Sequence, residues 1–87
     1  MTYTVIFRPS ITKDLRRLPR FIRRRVEEVL AALRDNPFPE GCRPLHGYER
    51  TYRLRVGNYR VIYDVQTELR IIAVLRVRDR KDAYRGM

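Results

Sequence analysis

The 87 residues include no tryptophan, one cysteine, one histidine and four glycines, and only 10 acidic side chains against 20 basic ones. With Cys42 as the sole cysteine, no intrachain disulfide can form and no cysteine-based zinc cluster is available, which fits a reducing, cytoplasmic setting. Four glycines and five prolines are too few for a low-complexity or disordered chain, and 44% hydrophobic residues suffice for a core. The longest apolar stretch of the C-terminal half, Ile71 to Leu75, is far too short to cross a bilayer, and Met1-Thr2-Tyr3-Thr4 opens a strand and not a signal peptide. No carboxylate cluster of the kind that holds a metal is evident, so neither a metal nor a cofactor is expected. At this length one hydrophobic core is the limit, and residues 1–87 are read as a single domain.

What the chain has in excess is arginine. Only Lys13 and Lys81 are lysine, so eighteen of the 20 basic residues are arginine, and the formal net charge is +10 with a pI of about 10.8. A genomic or thermal preference for arginine accounts for part of the choice over lysine but not for the net charge. A charge of this size on so small a body calls for a polyanionic partner, with nucleic acid ahead of an acidic protein and a membrane surface last.

Periodicity places the elements. Tyr3, Val5 and Phe7 alternate with Thr4, Ile6 and Arg8 in a strand that Pro9 stops. Ser10 occupies an N-cap position, and Ile11, Leu15 and Leu18 follow at helical spacing up to Pro19. A second helix carries Ile22, Val26, Val29, Leu30 and Leu33 as one stripe, with Arg23, Arg24, Arg25, Glu27 and Glu28 largely outward, and ends at Asn36-Pro37. Residues 36–48, with three prolines and two glycines, read as a loop. Three strands follow, at about 50–56, 58–65 and 69–77, joined by hairpin-length turns at Gly57-Asn58 and Gln66-Thr67-Glu68. The expected fold is therefore α+β: an N-terminal strand, a helical hairpin and three antiparallel strands, the helices packed on one face of a four-stranded sheet and the other face open.

Alternation puts Tyr52, Leu54 and Val56 on one side of their strand and Arg53 and Arg55 on the other. In the next strand Tyr59, Val61, Tyr63 and Val65 form the apolar side, leaving Arg60, Ile62 and Asp64 opposite. The last strand divides into Ile71, Ala73, Leu75 and Val77 against Ile72, Val74 and Arg76. A tail that folds back brings Arg80 and Tyr84 to the arginine side. Any one strand arginine is adequately explained as solvated surface. Several together on adjacent strands repel, by about a few tenths of a kcal/mol or more per close pair, and Asp64 is the single acid assigned to that face. An uncompensated cluster of this kind suits phosphate, to which each guanidinium offers two parallel donors.

The opening Tyr3-Thr-Val-Ile-Phe7, Asp14-Leu-Arg-Arg-Leu-Pro19, Pro44-Leu-His-Gly47, the run Tyr52-Arg-Leu-Arg-Val-Gly-Asn-Tyr-Arg-Val-Ile-Tyr63 and the tail Arg80-Lys-Asp-Ala-Tyr-Arg85 together resemble the RelE/ParE superfamily of toxin–antitoxin toxins, particularly the RelE-like mRNA endonucleases. The resemblance spans nearly the whole chain. It implies a RelE-like, microbial-RNase-type sheet and ribosome-dependent cutting of mRNA, which inhibits translation. The matching site positions are Arg53, Arg55, Arg60, Arg80 and Tyr84, acting through metal-free attack of a ribose 2′-OH on its own 3′-phosphate. It also implies, as partners, an acidic antitoxin bound in a hetero-oligomer, mRNA and the ribosome, with no membrane.

Two lysines found in some relatives stand here as Arg53 and Arg55, and arginine stays protonated, so neither can be a general base. Tyr84, the ribosome or solvent is left for that task. Histidine is the side-chain type suited to acid–base work near neutral pH, but His46 lies in the loop before the strands, where a hydrogen-bonding role is expected; a Cys42/His46 nucleophilic site is disfavoured. Two other functions fit the same resemblance. One is a ParE-like inhibitor of DNA gyrase, which needs no catalytic set. The other is a non-catalytic binding module, a decayed toxin kept for its antitoxin complex.

Overall fold

The computed structural model describes residues 2–87. Its elements run β1 (Thr4–Phe7), α1 (Ile11–Arg16), α2 (Arg20–Leu33), β2 (Arg43–Pro44), β3 (Thr51–Val56), β4 (Tyr59–Gln66) and β5 (Ile71–Asp79). The class is the expected α+β, with five strands in place of four. They are ordered β1-β5-β4-β3-β2; β1 runs parallel to β5 and every other pair is antiparallel. The added strand, β2, is two residues of the proline-rich loop lying along the outer edge of β3. An edge is where proline can join a sheet, because its missing N–H is not needed there.

The helices cover one face. Ile22, Val26, Leu30 and Leu33 of α2, with Ile11 and Leu18 around α1, pack on Leu54, Val56, Val61, Tyr63, Val65, Ile72, Val74 and Val77. α2 comes close to the β3–β4 turn: a Cβ added to Gly57 would lie 3.4 Å from Ile22 Cδ1, and Gly57 has φ +60. A side chain there would meet the helix and a backbone conformation that L residues rarely adopt. Ser10 precedes α1 as expected, yet its backbone is already helical and its side chain caps nothing. The first turn is closed by main-chain bonds, Ile11 N donating to Arg8 O and Asp14 N to Ser10 O.

The alternation expected for the last strand fails at one point. Ladder pairing jumps from Ile62↔Arg76 to Tyr63↔Val74, so Leu75 is an extra residue, a β-bulge. A bulge reverses the phase of everything beyond it. Ile72, Val74 and Val77 therefore share the core side, while Ala73, Arg76 and Arg78 share the side of Arg53, Arg55 and Arg60.

Beyond β1, which ends at Phe7, β5 continues without a strand neighbour on that edge. The Asp14 carboxylate of α1 fills the gap: its Oδ2 accepts the Val77 N–H at 3.1 Å and lies 3.4 Å from Arg78 Nε. Asp14 is 3% exposed, so this acid is a structural part of the core rim.

The face away from the helices is partly covered. Residues after β5 fold back over it, and Arg76 Nη1 donates to the carbonyls of Ala83 and Arg85, which ties the tail down. Ile62, the cross-strand neighbour of Arg76, is fully buried without belonging to the helix-side core, and Ala83 is fully buried as well. The expectation of a wholly free second face is corrected accordingly. Among the described residues no helix is long and apolar enough to cross a membrane.

Candidate functional site

Sheet register builds the site. Arg55 is the direct cross-strand partner of Arg60, and Arg60 of Arg78, so three arginines form a row across β3, β4 and β5. Beside that row runs another, in which Arg43 of β2 faces Arg53, Arg53 faces Ile62 and Ile62 faces Arg76. Directly opposed residues in such ladders have Cβ atoms about 4.5–5.5 Å apart, within reach of a shared ligand.

Members of the two rows differ in what neutralises them. Arg78 is engaged by Asp14, and Arg76 by the tail carbonyls. Burial, with the positive charges of Arg78 and Arg8 close by, pulls the Arg76 guanidinium below the ordinary arginine range. Asp64, the acid expected on this face, accepts a hydrogen bond from Thr51 Oγ1 at 2.6 Å. Among the described residues the ion pairs are Arg78–Asp14 and Arg85–Asp82, so Arg53, Arg55, Arg60 and Arg80 have no carboxylate partner there.

Three of those unpaired arginines, Arg53, Arg55 and Arg60, meet at a depression of about 480 Å³ lined also by Pro44, Leu45, His46 and Tyr84. Four of the five expected site residues thus share one concavity. Tyr84, 39% exposed, arrives from the folded-back tail. Arg80 is not part of that lining. Its main-chain N–H donates to Asn58 O at 2.9 Å, which puts it at the β3–β4 turn, the same end of the sheet as Arg55 and Arg60.

His46 is the member whose loop position in the sequence argued against it. Pro44 lies opposite Tyr52, and Leu45 N donates to Thr51 O at 2.8 Å, so the segment follows β3 to its start; Tyr48 N then donates to Leu45 O and closes a turn around His46. The signal for this in the sequence is faint: a short Arg43-Pro44-Leu45 stretch whose pairing with Tyr52 and Arg53 depends on register. Cys42 lies elsewhere, half-buried against the core. Its thiol contributes, after burial, to raising the Tyr63 phenol well above its ordinary range, and Tyr63 Oη donates to Pro37 O at 2.9 Å. Among the described residues no group of three or more His, Cys, Asp or Glu side chains is placed to hold a metal ion.

This architecture and this chain have known counterparts. Residues 5–84 match the family described as ParE toxin of type II toxin-antitoxin system, parDE. The chain is 32% identical over 89 residues to the "Putative toxin RelE1" of Methanocaldococcus jannaschii, covering 99% of each protein. To "Toxin RelG" of Mycobacterium tuberculosis it is 34% identical over 86 residues, covering 98% of this chain and 99% of that one. Among solved structures, the archaeal RelE-RelB complex from Pyrococcus horikoshii superposes with a TM-score of 0.82 at 34% identity, covering 95% of this chain and 100% of that chain. The RelBE2 toxin-antitoxin complex from M. tuberculosis gives 0.79 at 31%, covering 91% and 99%. By family match, sequence identity and shared fold, the chain belongs to the RelE/ParE superfamily of type II toxin–antitoxin toxins, among relatives named RelE.

Proposed function

We propose that the protein is a ribosome-dependent mRNA endonuclease that arrests translation, and that Arg53, Arg55, Arg60, Arg80 and Tyr84 serve the cut. The observation that carries this reading is the depression in which Arg53, Arg55, Arg60 and Tyr84 converge with no carboxylate among its lining residues. A dianionic, five-coordinate phosphorus transition state is the species such a set of cations stabilises better than the ground state, and each preorganised donor can be worth about 3–4 kcal/mol. The reaction is metal-free attack of the ribose 2′-OH on the adjacent phosphate, in line with the leaving 5′-oxygen. Arg53, Arg55 and Arg60 hold the phosphate, Arg80 approaches from the turn, and Tyr84 offers a ring on which an unstacked base can rest.

The same charge serves the second partner. Several structural relatives are toxin–antitoxin complexes, and an acidic antitoxin segment complements a chain of net charge +10. A second reading, gyrase inhibition, takes its support from the ParE name of the matched family.

Induced expression of Arg80→Ala and Tyr84→Ala separates them. Under the nuclease reading Arg80→Ala relieves growth arrest and Tyr84→Ala does so more mildly, with both variants as folded as the parent by circular dichroism. Undiminished arrest in both supports gyrase inhibition or simple binding and contradicts the nuclease.

A further inference from the structure

The cleavage reading leaves one role vacant. Removing the 2′-OH proton needs a base, and the guanidinium groups that line the depression stay protonated at any working pH. Besides Arg53 and Arg55 of β3 and Arg60 of β4, the titratable side chains there are Tyr84 of the tail and His46 of the turn after β2. Of these two side-chain types, imidazole is the one suited to accepting and releasing a proton near neutral pH. General bases are most effective when their ionisation lies close to the operating pH.

The geometry points to His46 as the general base of the proposed RNA cleavage, a role that rests on the nuclease reading of the same depression. Its position is built and not incidental: Pro44 pairs with Tyr52, Leu45 N bonds Thr51 O, and the Tyr48–Leu45 bond turns the chain at His46, exposed beside the arginine rows. No hydrogen bond of the protein occupies its ring among the described residues. In the step, an unprotonated ring nitrogen accepts the 2′-OH proton while the O2′–P bond forms and the P–O5′ bond breaks. The leaving 5′-oxygen takes a proton from water, and the imidazolium returns its proton to solvent. The products are a 2′,3′-cyclic phosphate and a 5′-hydroxyl.

The test is single-turnover cleavage of mRNA on programmed ribosomes, comparing the full chain with His46→Gln, which keeps hydrogen bonding but cannot cycle a proton. The expected loss is about 10²-fold or more in rate, with ribosome binding by co-sedimentation unchanged. The parent's rate should climb with pH through the imidazole range and level off, and that climb should be missing in the variant. A substrate whose leaving 5′-oxygen is replaced by sulfur needs no protonation of the leaving group, so the His46→Gln defect should persist on it. Cleavage within about threefold of the parent with an unchanged pH profile overturns the assignment, as does full rescue by the sulfur substrate, which would make His46 an acid. If the parent itself cuts nothing while blocking supercoiling by gyrase, the nuclease reading fails, and this assignment with it.

Discussion

Arg55 of β3 and Arg60 of β4 stand directly opposite each other in the antiparallel ladder, and neither has a carboxylate partner among the described residues. Like charges so placed work against the fold, by about 0.2–1 kcal/mol. Arg55→Gln should therefore raise the urea midpoint at low salt while weakening RNA cleavage, and the gain should shrink as salt screens the pair. An unchanged or lower midpoint at low salt would show that the repulsion is already compensated.

Binding to single-stranded RNA should be steeply salt-dependent. Each phosphate neutralised contributes about −0.7 to the slope of log affinity against log salt, so three or four arginines give a slope of about −2 to −3. Arg53→Ala, Arg55→Ala and Arg60→Ala should each flatten it by about 0.7. Filter binding across a salt series reads this directly, and slopes identical to the parent's would place the RNA elsewhere.

Asp14 joins α1 to the unpaired edge of β5 through Val77 N–H and Arg78. Asp14→Ala strands a buried N–H and leaves Arg78 without its counter-charge, at a cost of about 2–3 kcal/mol once the partial exposure of Arg78 is allowed for. Asp14→Asn keeps an acceptor and should cost less. Urea unfolding measures both; a loss below about 1 kcal/mol in the alanine variant would contradict the role.

Tyr63 carries a raised phenol because it is buried, and it donates to Pro37 O. Tyr63→Phe should cost about 1–2 kcal/mol at pH 7. The folded chain holds the phenolic proton above the pH, near 10, at which the unfolded chain releases it. The stability linked to that proton is thus complete below about pH 10 and is lost as the pH rises towards the elevated folded value. The advantage of the parent over Tyr63→Phe should narrow above pH 10, as denaturant titrations at pH 7 and at pH 10–11 would reveal; a gap that widens there reverses the sign and contradicts the account.

Much of this was readable in advance, and the failures have physical causes. The stripe Ile22, Val26, Leu30, Leu33 and the alternation from Tyr52 to Val65 are local periodicities, and they place helix and strands correctly. The Leu75 bulge was hidden because Ile71 to Leu75 is apolar on both faces, so alternation carries no phase there. The burial of Asp14 was hidden because its partners, Val77 and Arg78, are more than sixty residues away and are defined only by where β1 stops. Arg76 reads as one more surface cation until the tail carbonyls of Ala83 and Arg85 come to it. In the sequence His46 reads as a loop residue, and a two-residue edge strand, too short to leave a periodic signature, carries it to the depression lined by the arginines.

The central claim is that the arginine-lined depression cuts RNA. It is tested most directly by incubating the purified protein with ribosomes programmed with a defined mRNA and mapping every new end. The account predicts cuts within the ribosome-occupied codon that leave a 5′-hydroxyl and a 2′,3′-cyclic phosphate, abolished by a 2′-deoxy substitution at the scissile nucleotide and strongly reduced in Arg60→Ala. Intact mRNA under the same conditions, with DNA supercoiling by gyrase inhibited instead, would contradict it.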